Sequence, residues 1–115
     1  MKKMFAGAMA LAALVSLNAS AGDIAAGKAA AEKYNCFSCH GKDYNTPIDP
    51  TYPKLAGQHE DYLRQSLISY QRGADGANGR GNAIMVAQAK QLSRKDIENI
   101  AAYLHSLPGS LVLRK

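Results

Sequence analysis

Cysteine is scarce in this sequence. Cys36 and Cys39 are the only two thiols in 115 residues, and they stand three positions apart. They cannot cross-link distant parts of the chain, and a disulfide between them would close too small a loop to stabilise much. Strand-like alternation of apolar and polar residues is also missing, and no segment repeats. No apolar run reaches the roughly 20 residues that a membrane-spanning helix needs. Basic residues outnumber acidic ones by 14 to 9, yet they are scattered and do not alternate with aromatics as a nucleic-acid groove requires. A Ser-His-Asp set or a carboxylate pair would have to be assembled from residues far apart in the chain. These absences exclude a disulfide scaffold, a β-rich fold and a nucleic-acid partner, and they leave no visible hydrolytic site.

The first 21 residues read as a leader. Lys2 and Lys3 precede an apolar run from Phe5 to Leu17, and Ala19-Ser20-Ala21 fits the small-x-small rule for cleavage before Gly22. The run is too short for a transmembrane anchor. The sequence therefore divides into a signal peptide, residues 1–21, and one domain, residues 22–115, which is not membrane-spanning once the leader is removed. The domain has 94 residues and, without Lys2 and Lys3, twelve basic against nine acidic side chains. A domain of this size buries a modest apolar core and often needs an added staple. With so few cysteines, a cofactor fits that role better than a disulfide.

Three helices are expected in the domain. The first spans residues 23–34, where Asp23 can cap an alanine-rich stretch interrupted by Gly27. The second runs from about Gln58 to Arg72, with Leu63, Leu67 and Tyr70 on one face. The last starts at Ser93, whose spacing to Asp96 resembles a capping box, and buries Ile97, Ile100, Ala101 and Leu104 before Pro108-Gly109 stops it. Between them lie two long loops, one from Gly41 to Gly57 with Pro47, Pro50 and Pro53, the other from Gly73 to Asn82 with four glycines. The fold class is all-α.

Cys36-Phe37-Ser38-Cys39-His40 is a C-x-x-C-H motif, the attachment signature of c-type haem. On a helical turn, positions i and i+3 share a face. Both thiols can then reach the two vinyl groups along one side of a porphyrin, and the adjacent imidazole is placed to bind iron. An export leader supports this reading, because c-type haem is attached after export. A thioredoxin-like redox pair would sit among strands, and none are expected here. A zinc site would need a fourth ligand, His59 or His105, beside Cys36, Cys39 and His40. Adjacent Cys39 and His40 make awkward ligands on one tetrahedral metal.

Iron bound by His40 has a second axial position. Methionines 1, 4 and 9 lie in the leader, so Met85 is the domain's single methionine. It follows a glycine-rich loop and precedes the last helix, outside any helical stripe, where it is free to approach the cofactor. A lone methionine is otherwise core filler. His59 and His105 are the weaker candidates for the same position.

Four segments in order give the domain a resemblance to the class I c-type cytochromes, in particular the small bacterial periplasmic kind similar to one domain of the dihaem cytochromes c. They are the first helix with Gly27 followed by the Cys36–His40 motif, then Tyr52-Pro53-Lys54-Leu55-Ala56-Gly57-Gln58, then Met85, then Ile100-Ala101-Ala102-Tyr103-Leu104. The resemblance implies crossing N- and C-terminal helices and a haem enclosed by long loops. It implies one haem c bound covalently at Cys36 and Cys39, with His40 and Met85 as axial iron ligands. Pro53 would offer its carbonyl to the His40 Nδ1–H, and Leu55 would pack on the haem's His side. Gly27 would let the first helix cross the last near Tyr103. Where the family often has an aromatic one turn after that glycine, this chain has Ala31, and Tyr34 is a candidate to fill the space.

The function implied is that of a periplasmic, monohaem, non-enzymatic carrier of single electrons between redox protein partners. Lys42 and Lys54, which flank the loops nearest the motif, are candidates for a positive docking rim. Two rival readings are a haem subunit of a larger oxidoreductase and a ligand-sensing cytochrome with Met85 off the iron.

Overall fold

A computed structural model describes residues 22–110. The leader and its cleavage site lie outside the described residues. Among the described residues there are five helices and no strand: α1 (Ile24–Lys33), α2 (Phe37–His40), α3 (Glu60–Arg72), α4 (Ala83–Lys90) and α5 (Arg94–Ser106). The all-α reading and the three expected helices hold. None of the described helices is long and apolar enough to cross a membrane.

The core forms where α1 crosses α5. Asp23 caps α1, its carboxylate accepting the Ala26 N–H at 2.9 Å. Ser93 caps α5 in a full capping box, exchanging 3.0 Å bonds with Asp96. Gly27 sits at the crossing, buried, and a Cβ there would run into the Asn99 carbonyl and come within 2.7 Å of the Tyr103 Cβ. Only glycine lets the two backbones approach this closely. The Asn99 side chain is buried too, and its Oδ1 accepts the Asp23 N–H at 2.9 Å, joining the start of α1 to the middle of α5. Ile97, Ile100, Ala101 and Leu104 are all buried, and the last three share one core cluster with Ala30 and Ala31 of α1.

Tyr34 packs on this core, and its hydroxyl reaches Asp96 at 3.4 Å. A second aromatic was not foreseen. Tyr44, from the loop after α2, is 2 % exposed and meets the Tyr103 ring edge-on at 5.9 Å. The Tyr44 carbonyl accepts from both Leu55 and Ala56, at 2.8 and 3.0 Å, and Gly57 N–H donates to the Leu104 carbonyl at 2.9 Å. The loop of residues 41–57 is thereby tied back onto itself and onto α5.

Two sequence expectations need correction. The second helix begins at Glu60, with His59 as its cap, two residues later than the pattern suggested. More consequentially, Met85 does not lie in open chain. It occupies the first turn of α4, where its N–H donates to the capping Asn82 side chain at 3.0 Å. The α4 sequence hides its helicity because Ala83-Ile84-Met85-Val86-Ala87 is a continuous apolar block without a 3.6-residue period. Contacts to α3 hold it instead. The Gln71 amide donates to the carbonyls of Ala89 and Leu92, each at 2.9 Å.

Candidate functional site

The chain turns sharply after α1 to begin the motif. Asn35 takes a positive φ of 56°, and the Cys36 N–H donates back to the Ala31 carbonyl at 3.1 Å. Cys36 then opens the single turn of α2, and its carbonyl accepts from Cys39 and His40 at 3.4 and 3.2 Å. This turn sets both thiols, each free, on the wall of one cleft. Burial pushes the Cys36 thiol above its ordinary range, and neighbouring Cys39 adds to the shift. Gly41 ends the turn at φ 90°, where a Cβ would strike the Thr46 carbonyl.

His40 is 6 % exposed, and its Nδ1 lies 2.9 Å from the Pro53 carbonyl. A carbonyl only accepts, so Nδ1 carries the proton and Nε2 keeps its lone pair. That leaves a metal-binding nitrogen on a ring whose orientation is fixed by its other nitrogen. Tyr52 lies beside it, ring centroids 6.4 Å apart.

The cleft has a volume of about 420 Å³, within the usual range for small-molecule sites. One wall is α2 with Cys36, Cys39 and His40; Pro53 and Leu55 come from the following loop. The α3 face contributes Leu63, Ser66, Leu67 and Tyr70, so the apolar stripe read from the sequence serves the cleft as much as the core. Ile68, also buried, was not part of that stripe. From α4 come Ile84 and Met85. His59 and His105 do not line the cleft. His59 is exposed at the start of α3, and exposed His105 donates from Nδ1 to the Gln58 carbonyl at 2.7 Å. Among the described residues no three His, Cys, Asp or Glu side chains cluster as metal ligands, so the four-ligand zinc arrangement is not formed.

This lining suits a flat, largely apolar macrocycle. It offers two thiols one turn apart, an imidazole with a free Nε2, a thioether, and leucines from α3, α5 and two connecting segments. The buried Ser66 Oγ has no hydrogen-bond partner, which leaves a polar atom available to a bound group. Polar or aromatic members of the lining that escaped the sequence reading include Tyr62, Ser66, Arg80 and Gln88. The spacing of Tyr62, Ser66 and Tyr70 at i, i+4 and i+8 was the available signal for one face of α3.

Comparisons with known proteins converge on one family. The family model described as Cytochrome c matches residues 24–108. Cytochrome c4 of Stutzerimonas stutzeri is 36% identical over 115 residues, covering 96% of this chain and 53% of its own. Cytochrome c-554(548) of Halomonas halodenitrificans is 43% identical over 88 residues, covering 75% of this chain and 98% of its own. The crystal structure of reduced recombinant cytochrome c4 from Pseudomonas stutzeri superposes with a TM-score of 0.69 at 39% identity, over 79% of this chain and 48% of that one. The chain thus spans about half the length of the cytochrome c4 relatives and nearly all of the shorter one.

Proposed function

This chain belongs to the cytochrome c family, whose members are electron carriers with covalently bound haem, and we propose that it is a periplasmic monohaem carrier with His/Met-ligated iron. In this reading Cys36 and Cys39 would hold the haem through thioethers, His40 and Met85 would hold its iron, and residues 1–21 would be the export leader. When bound, haem c supplies an iron that takes up and releases one electron. The chain's part is to hold that iron in a fixed, desolvated ligand set. Pro53 fixes the His40 ring and makes Nε2 a better donor. Asn82 and Gln71 fix the helix that carries Met85. Methionine as second ligand favours Fe(II) and raises the potential relative to a second histidine.

The observation that carries the proposal is the sharing of one cleft by Cys36, Cys39, His40 and Met85, with the other two histidines outside it. With His40 and Met85 both holding the iron, no position would remain for a substrate or a diatomic ligand, and the reading is electron carriage and not sensing. Its partners are then other redox proteins, met through the exposed Lys42 and Lys54 side of the molecule.

The test is to express the full chain with haem-attachment machinery. Mass spectrometry should show a chain beginning at Gly22, heavier by one haem that denaturant does not remove. Carbon monoxide should leave the spectrum of the reduced protein unchanged. A chain without added mass, or one that binds carbon monoxide readily, would overturn the corresponding part of the proposal.

A further inference from the structure

Tyr44 is the one tyrosine or phenylalanine among the described residues that is buried, and it does not line the cleft. Its ring belongs to the core cluster that holds Ala30 and Ala31 of α1 and Ala101 and Leu104 of α5. Small side chains at three of those positions leave room for a large ring, and Tyr103 meets it edge-on. The Tyr44 backbone is left-handed, with a φ of 57°. Side chains other than those of asparagine and aspartate seldom adopt that conformation. A tyrosine stays there only where its surroundings over-determine it.

The backbone bonds of Tyr44 lie on both sides of the His40–Pro53 contact. Its N–H donates to the Gly41 carbonyl at 3.0 Å, one residue past the imidazole. Its carbonyl accepts from Leu55 and Ala56 at 2.8 and 3.0 Å, just past Pro53. The Pro53 carbonyl in turn accepts the His40 Nδ1–H at 2.9 Å. Tyr44 thus joins the two stretches of chain that this bond spans, and its ring roots the junction in the α1–α5 crossing. We propose that Tyr44 is a positioning residue for the iron-binding histidine. The buried ring fixes the backbone of residue 44, and that backbone holds the Pro53 carbonyl against the His40 ring. The bond to Pro53 makes Nε2 the better donor, so Tyr44 acts on the reduction potential from outside the cleft.

The inference rests on the haem reading, so each protein is first checked by mass for attached haem. Wild type that carries no haem refutes the proposed function, and this inference falls with it; failure of the inference alone shows only in the variants. In the holoprotein, Tyr44→Gly keeps a residue suited to the left-handed conformation and removes only the ring. The His40–Pro53 bond should loosen, which lowers the basicity of the ligand and shifts the reduction potential upward. The His40 ring N–H of the reduced protein, followed by nuclear magnetic resonance, should exchange with solvent about tenfold faster. Tyr44→Phe keeps the ring and should leave both properties at their wild-type values. Ile97→Ala truncates a fully buried side chain that does not line the cleft, and it should leave the potential unmoved. A wild-type potential in Tyr44→Gly overturns the proposal. So does an equal shift in Ile97→Ala, which would report general loosening of the core, or an equal shift in Tyr44→Phe, which would assign the effect to the hydroxyl. A raised potential with unchanged ring N–H exchange also overturns it, since the effect would then bypass the bond to Pro53. If Tyr44→Gly does not retain haem, Tyr103→Leu, which removes the ring that Tyr44 meets, is read in the same way. A raised potential supports the proposal, and an unmoved one overturns it.

Discussion

The His40 imidazole has Nδ1 committed to the Pro53 carbonyl at 2.9 Å, and so has a single nitrogen left for a metal. Met85 has no such constraint on its sulfur. Its place comes from the backbone, because the bond from its N–H to Asn82 fixes the first turn of α4. The two proposed ligands should therefore respond differently to substitution. Met85→Ala should abolish the weak red absorption band of thioether-ligated ferric haem, lower the reduction potential and open the reduced iron to carbon monoxide. His59→Ala and His105→Ala should change none of the three, since both side chains lie outside the cleft. A wild-type spectrum and potential in Met85→Ala would mean that Met85 is not the ligand, and a bis-His or open sixth position would replace it. Residues of this kind were legible in the sequence because each is bound to a short local pattern: the thiols and imidazole to C-x-x-C-H, Pro53 and Leu55 to the segment around them, Met85 to being the domain's sole thioether. Arg80 was not legible. Its place in the cleft depends on two tyrosines of α3, and a basic residue in a glycine-rich loop reads as solvated surface until those rings are placed beside it.

At the scale of elements, α1 and α5 could be read because each carries its own signals: a capping residue, a periodic apolar face and, in α1, a glycine where the two backbones meet. Such signals also fix what their crossing tolerates, since any side chain at Gly27 would force the Asn99 backbone away. Helix α4 differs. Its apolar residues are consecutive, so nothing in its own sequence says which face is buried, and Asn82 is its only local sign. Its position is settled by α3, through the two 2.9 Å bonds from Gln71 to the carbonyls of Ala89 and Leu92. Gln71→Leu keeps the approximate volume and removes both donors. It should weaken the docking of α4 by about 1–3 kcal/mol, with little direct effect on the α1–α5 core. The measurable consequence is a separation of two transitions. In denaturant, the red band that reports Met85 should be lost well before helical circular dichroism, whereas in wild type the two should fall closer together. Coincident transitions in the variant would mean that α4 is held by its apolar contacts alone.

For the whole molecule, the proposed electron carriage would depend on bringing the cleft close to another protein without holding it there. Transient redox encounters use small interfaces, and charge acts mainly on the rate of meeting. Lys42 and Lys54 are both exposed, and from the sequence alone they stood as equals. The structure separates them, since Lys54 lines the cleft and Lys42 does not. A partner that must approach the cleft for electron exchange passes Lys54 at closer range. Reversing one charge changes the interaction with a unit charge about 10 Å away in water by about 0.8 kcal/mol, or about fourfold in rate. Lys54→Glu should therefore slow electron exchange with an acidic redox partner about fourfold at low ionic strength, and Lys42→Glu should slow it less. The difference should fade near 0.1 M salt, where the screening length falls to about 10 Å. Stopped-flow rates for both variants across a salt series would decide the matter. Equal slowing by the two substitutions would place the docking face across the loop of residues 41–57 and not at the cleft. No slowing by either, at any salt concentration, would show that partners meet this molecule through contacts in which neither lysine takes part.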